Sequence, residues 1–279
     1  MDGFFLVKKE KGISSNGVVQ GIKRKFSFNK VGHLGTLDPM ATGLLIIAVN
    51  KATKFSSYFL NEIKTYSAGV TLGSSSDTDD AEGNIVLVSD DLPETERVIL
   101  ALNSFLGKSL QQAPFYSALK HKGKPLYKYA REGELITKPP RDITVIDISH
   151  IDYQKPLLSF DITCSKGTYI RAIARDIGNL LSCGGHLSKL ERIQQGCFKI
   201  DAAKFIKDIP IEEMISIENA FPELNHIELN ELETKVYQNG GRVESIKGHE
   251  EISKIYSYSK KFIGLGKIDE SGLKLKQLV

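Results

Sequence analysis

Gly32-His33-Leu34-Gly35-Thr36-Leu37-Asp38-Pro39-Met40-Ala41-Thr42-Gly43 is the stretch that decides how this chain is read. A carboxylate stands between glycine-bearing turns and immediately before a proline, whose ring fixes the next φ angle and removes a backbone donor. Such a segment holds an acid in one place. An isolated Asp-Pro pair does no more than cap a turn. The glycine spacing matches neither G-x-x-x-x-G-K-[ST] nor G-x-G-x-x-G, so a nucleotide-phosphate cradle is not indicated. With Gly32, Gly35 and Pro39 inside it, the span 31–41 reads as a loop.

Regular patterns begin on either side. Residues 4–7 (Phe-Phe-Leu-Val) suit a short strand, Ser14-Ser15-Asn16 offers a helix N-cap, and Val18, Val19, Ile22 and Phe26 recur at helical spacing. The apolar run 44–49 reads as a buried strand, and 65–72 as a strand closed by Gly73-Ser74-Ser75-Ser76. Residues 94–106 look helical. Apolar alternation over 143–153 and 157–164, on either side of Gln154-Lys155-Pro156, predicts a hairpin. Ile170, Ile173, Ala174, Ile177 and Leu181 share one helical face, which Gly184-Gly185 ends. The acidic stretch 211–225 reads as a helical tail and linker, and 227–279 as a small β module. Strands and helices mix without strict βαβ alternation, which places the chain in the α+β class.

Composition narrows the function classes. A length of 279 residues suits one large domain plus a small one, and 41% apolar with 25% charged residues is globular usage. The longest clean apolar run, 43–49, falls far short of the roughly 20 residues that span a bilayer. The first residues lack the basic-then-apolar layout of a secretory signal. Three cysteines without a C-x-x-C pair indicate neither a disulfide framework nor a zinc ribbon. A cytoplasmic protein without a membrane partner is the expectation. The net charge is only +3, but residues 1–66 hold ten Lys/Arg against four Asp/Glu and residues 108–141 hold eight against two, whereas 76–97 and 201–234 are acidic. Segregated basic blocks are the footprint of polyanion binding. The segment 113–141, basic and rich in Pro, Gly and Tyr, is too long for an idle connector. The cluster Asp77-Thr78-Asp79-Asp80 reads as a solvated loop.

The run 32–45 closely resembles the motif G-H-x-G-T-L-D-P-x-A-x-G of the TruB family of tRNA pseudouridine synthases, whose Asp is essential. Further motifs of that family follow in its order: Lys64-Thr65-Tyr66, then Gln112-Ala113-Pro114-Phe115-Tyr116-Ser117-Ala118-Leu119-Lys120, then Leu126-Tyr127-Lys128-Tyr129-Ala130-Arg131, then Ser165-Lys166-Gly167-Thr168-Tyr169-Ile170-Arg171, and last Gly185-His186-Leu187 through Leu190 to Arg192. The resemblance covers roughly residues 1–200, with a weaker echo in 262–278. It implies a mixed, largely antiparallel sheet of the pseudouridine synthase fold over 1–210, with a helical thumb insertion at 108–141. A linker at 211–226 and a small PUA-like RNA-binding module at 227–279 follow. The implied activity is isomerisation of uridine 55 in the T loop of tRNA to pseudouridine, without cofactor or metal, by a stand-alone monomer that needs no protein partner.

Roles carried over from the family can be weighed against chemistry. The N-glycosidic bond must break, the base must turn over, and C5 must bond to C1′. Asp38 is the candidate acid: a carboxylate can add to uracil C6, trap C1′, or take a sugar proton to give a glycal. It acts in ionised form, which a neighbouring cation favours, and Arg171 is the candidate partner. Tyr66 is expected to stack on the flipped uracil, worth about 1–3 kcal/mol, with its hydroxyl assisting removal of the C5 proton. Leu190 would wall the pocket, Tyr169 would touch Asp38 or the base, and Lys64 would support the site electrostatically. His33 would fill the gap left by the extruded base, and Lys120 and Arg131 are RNA-binding candidates of the thumb. Flipping costs a few kcal/mol, offset by phosphate contacts that position the RNA. Three other readings stay open: a non-catalytic tRNA-binding protein, a guide-RNA enzyme, and a sugar-active hydrolase, which needs a second carboxylate that no comparable motif supplies.

Overall fold

The structure, a computed structural model, describes residues 1–279. Its main sheet is built from β1 (Gly3–Lys9), β2 (Val31–His33), β3 (Thr42–Val49), β4 (Lys64–Leu72), β5 (Gly107–Gln111), β6 (Arg141–Gln154), β7 (Leu157–Cys164), β8 (Gly185–Gln195) and β9 (Ile215–Ser216). The order is β9-β1-β3-β8-β4-β7-β6-β5, with β2 added to β3 and Phe198–Lys199 to β8. Every pairing is antiparallel except β3 with β8, which run parallel for two residues. This is the α+β class that the sequence pattern predicts, with the mixed, largely antiparallel sheet that the family resemblance implies.

Unbroken apolar runs in β1 and β3 follow from burial on both faces, because successive side chains of a strand point to opposite sides. Phe5, Val7, Leu45 and Ile47 enter a core roofed by α1 (Ser15–Phe26), α2 (Thr95–Asn103) and α3 (Ile170–Leu180). Phe4, Leu6, Leu44 and Ile46 enter a second core behind the sheet, with Phe55, Phe59 and Phe221. The Ser14 hydroxyl caps α1 by accepting from Gly17 N at 3.0 Å.

Two local expectations differ from the structure. Residues 31–33 form β2 rather than loop, because β8 meets β3 only at Thr42 and Gly43 and leaves the edge at Ile47–Val49 free to pair with them. The strand 64–72 does end at Gly73, as expected, and Ser74–Ser76 then pair with Ile85–Leu87 in a separate two-stranded ribbon. The stretch 211–225 is not helical. It forms a single 3-10 turn, Ile211–Glu213, and then β9, which pairs with Gly3 and Phe4 on the free side of β1. Ile217, Ala220 and Phe221 are buried behind the sheet, so this connection is packed onto the body.

The last residues form a five-stranded sheet in the order His226–Glu228, Glu251–Tyr256, Phe262–Asp269, Gly272–Leu278, Arg242–Val243. A helix, Glu231–Gln238, carries a capping box of Asn230 and Glu233. This module has its own core around Tyr237, Ile255 and Leu273, while Leu265 points into the core behind the main sheet. No helix of the chain is long and apolar enough to cross a membrane.

Candidate active site

Asp38 sits on a connection clamped from every side by buried polar side chains. Ser15, buried at the start of α1, accepts from Leu37 N and donates to Leu37 O through the same hydroxyl, both at 2.8 Å. Lys9 Nζ donates to Ala41 O at 2.6 Å and to Pro39 O at 3.2 Å. Gln195 Nε2 donates to Leu34 O at 2.6 Å, and Arg192 donates through Nη2 to Gly35 O and through Nε to Leu44 O. Leu37, Met40 and Ala41 anchor the same segment in the core. Two glycines are needed for this closeness. Gly35 and Gly43 have φ of +126° and +100°, and a Cβ on Gly43 would lie 2.4 Å from the Arg192 carbonyl oxygen. The span therefore presents Asp38 on a backbone with little freedom.

Arg171 in the first turn of α3 is 4% exposed and reaches Asp38: its Nε lies 2.9 Å from Asp38 Oδ2. The N–H does not point along that line, so the contact is an ion pair rather than a linear hydrogen bond. The same Nε lies 3.5 Å from Asp80 Oδ2, and Arg171 also donates to Thr78 O and Tyr116 O, each at 2.9 Å. Asp80 is itself buried and accepts from Thr78 Oγ1 at 2.7 Å and Glu82 N at 3.0 Å. The acidic cluster 77–80 is therefore not a solvated loop. Its backbone is stitched to β8 by Leu187 N to Asp79 O and Ala81 N to Leu187 O, and Asp79 pairs with Arg175 at 2.9 Å. Burial, opposed by Arg175, raises the Asp79 carboxyl above its ordinary range.

Asp38 and Arg171 open on a cavity of about 260 Å³, lined also by Lys64, Tyr66, Arg141, Tyr169, Leu190 and Arg192. That is just below the roughly 300–1,000 Å³ of sites for whole small ligands, a size suited to one nucleoside. Tyr66 and Arg192 are cross-strand partners on β4 and β8. Burial pushes the Tyr66 phenol up, and contact with the Arg192 guanidinium partly offsets this. Burial, helped by Arg192, brings Lys64 down to about 8, and its Nζ donates to Leu60 O and Glu62 O. The Tyr169 ring lies 4.6 Å from the Arg141 guanidinium.

The structure thus gathers six sequence candidates, Asp38, Lys64, Tyr66, Tyr169, Arg171 and Leu190, around one cavity. His33 stands outside the lining, on β2, with an unpartnered buried Nδ1, and burial lowers its pKa. Lys120 lies exposed on the hairpin of Lys120–His121 and Lys124–Pro125, and Arg131 is exposed on the helix Leu126–Arg131, 5.6 Å from the Tyr127 ring. The segment 108–141 touches the site: Gln111 exchanges hydrogen bonds with the Tyr169 backbone, and Ala118 joins the lining. Three residues around the site were assigned no role from the sequence. Arg192 carried a signal, since it follows Leu190 by two residues on a strand and so shares its face; Asp80 and Arg141 carried none.

Residues 23–170 match the family model described as "TruB family pseudouridylate synthase (N terminal domain)". Among curated proteins, the chain is 42% identical over 222 residues to a tRNA pseudouridine synthase B of Haemophilus influenzae, covering 80% of this chain and 71% of that protein. To the protein of the same name from Actinobacillus pleuropneumoniae it is 38% identical over 280 residues, 95% of this chain and 92% of that one. To that from Francisella philomiragia it is 44% identical over 230 residues, 79% and 76%. Among solved structures, an H/ACA RNP bound to a substrate RNA containing 2'-deoxyuridine superposes with a TM-score of 0.74 at 21% identity, over 99% of this chain and 84% of that one. A Cbf5-Nop10-Gar1 complex superposes equally well at 23% identity. These two likenesses establish the fold.

Proposed function

The chain belongs to the TruB family of pseudouridylate synthases and is an isomerase acting on tRNA; from that premise we propose that it flips uridine 55 out of the T loop and isomerises it to pseudouridine through Asp38. The observation that carries this reading is the Asp38–Arg171 ion pair at a nucleoside-sized cavity walled by Tyr66 and Leu190.

In this reading the uracil lies against Tyr66 and Leu190 with its ribose toward Asp38. Arg171 holds the carboxylate ionised and aimed, and Asp80, absent from the cavity lining, acts through Arg171. Asp80 is therefore a positioning residue and not the second acid that a sugar-active hydrolase requires. The attacking oxygen or base is Asp38 Oδ whether the intermediate is a sugar adduct, a C6 adduct or a glycal. Residues 1–210 form the catalytic unit. The thumb 108–141, with Lys120 and Arg131 on its outer surface, grips the T arm, and His33 takes the place of the everted base. The module 227–279 meets the acceptor stem. The enzyme works as a stand-alone monomer without a guide RNA, a reading supported by 35–44% identity to the curated tRNA pseudouridine synthases B against 21–23% to the chains of the H/ACA RNP and the Cbf5-Nop10-Gar1 complex.

An unmodified full-length tRNA transcript tests the site assignment. The expected product is one pseudouridine, at position 55, and none in a transcript carrying cytidine there. Modification at another position in either transcript would contradict the assignment.

A further inference from the structure

The charges lining the cavity do not balance. Lys64, Arg141, Arg171 and Arg192 face a single carboxylate, Asp38. Arg171 is matched by Asp38 and, behind it, Asp80. Arg192 is not matched: it is 1% exposed, binds only uncharged acceptors, and makes none of the chain's ion pairs. Lys64, 7% exposed, likewise meets only carbonyl oxygens. A buried cation without a counter-ion is strongly unfavourable, so this wall is built to receive an anion that the protein itself does not supply.

We propose that Arg192, supported by Lys64, binds the uracil anion released when the C1′–N1 bond breaks. This rests on the reaction proposed above. When that bond cleaves, its electron pair leaves with N1, and the resulting monoanion spreads over N1, O2 and O4. The electron deficiency at C1′ is met by an Asp38 oxygen, forming a C–O bond, or by transfer of the C2′ proton to Asp38, giving a glycal. C5 of the rotated ring then bonds to C1′ as the adduct releases the Asp38 carboxylate, or as the glycal takes its C2′ proton back from Asp38; C5 then loses its proton to a base, and N1 regains one. The ring carries negative charge only between the first and last of these steps, so a fixed cation beside it favours the transition state over the bound substrate. Position separates this role from phosphate binding. Arg192 is fully buried and pairs across the sheet with Tyr66, on the wall that takes the base. Arg141 is part-exposed, with Nε and Nη2 unpartnered, and suits the RNA backbone.

The test compares T-arm stem-loops carrying uridine or 5-fluorouridine at the target, since fluorine makes the departing ring a more stable anion. Cleavage of the target nucleoside is followed under single-turnover conditions for wild type and Arg192→Gln, with RNA Kd and its salt dependence measured alongside. The expected loss is about 100- to 1,000-fold on uridine RNA and at least about tenfold smaller on the fluorinated RNA, with Kd and salt slope unchanged. Equal losses on both RNAs overturn the assignment, as does a weakened Kd with the salt slope reduced by about one, which marks a phosphate contact. Should Arg192→Gln fail to fold, Lys64→Gln is read in the same way: a loss that fluorine relieves supports the proposal, and equal losses overturn it. A wild-type protein that leaves both RNAs untouched overturns the proposed reaction itself, whereas equal losses overturn only the role of Arg192.

Discussion

Arg171 Nε lies 2.9 Å from Asp38 Oδ2, so a residue of α3 aims the carboxylate of a loop more than a hundred residues earlier in the chain. Because Asp80 approaches the same nitrogen at 3.5 Å, the guanidinium is held from two sides. Asp80→Asn keeps the shape and removes one hold. We expect the single-turnover rate to fall by about 100-fold, the usual consequence of an ångström-scale misplacement, with RNA Kd unchanged. Arg171→Met strands two carboxylates, one of them buried, and is expected to lower stability in urea unfolding by about 3 kcal/mol, the low end for a broken buried pair because Asp38 keeps some solvent access.

Ser15→Ala removes the hydroxyl that satisfies both backbone groups of Leu37. Stability should drop by about 2 kcal/mol. Since Leu37 precedes Asp38, kcat should fall while the affinity for RNA holds. A variant with lower Tm but unchanged kcat would show that this clamp does not aim the acid.

In the proposed reading segment 108–141 presents its exposed Lys120 and Arg131 to the phosphates, so RNA binding should weaken steeply with salt. In a plot of log K against log salt, Lys120→Gln and Arg131→Gln should each reduce the slope by about 0.7–0.9. A slope unchanged in both would remove them from the RNA contact.

Lys64, brought down to about 8 by burial and Arg192, should lose its charge as pH rises through that value. Activity is expected to decline above about pH 8, and Lys64→Arg should carry the decline to higher pH. The stability term has the opposite sense. Between pH 8 and 10.5 the unfolded chain binds more protons at this residue than the folded one, so the destabilisation from burying the charge is relieved as pH rises. An alkaline limb that stays in place in Lys64→Arg would assign it to another group, with Lys9, also near 8, the next to examine.

Much of the scaffold is legible in the sequence because local signals agree there. The runs Phe4–Val7 and Leu44–Val49 demand two buried faces, Ser14 caps α1, and the 170–181 periodicity marks α3. The misread elements are those that depend on distant backbone. β2 exists because β8 leaves part of β3 unpaired, and β9 because β1 has a free side. In the site, Asp38 stands out through Gly35, Pro39 and Gly43, residues whose backbone geometry is written in their type. Asp80 does not. Four polar residues in a row look solvated until β8 and Arg171 close over them. Arg192 lies between these cases, since strand alternation from Leu190 places it on the same face, but only the fold shows that no carboxylate meets it.

The central claim is that Asp38 breaks the bond to N1 and so frees C5 for attachment. T-arm RNA labelled with tritium at C5 of the target uridine tests it most directly. The wild-type protein should release the label stoichiometrically, and Asp38→Ala, still binding RNA with wild-type Kd, should release none above background. Equal release by both proteins would contradict the account.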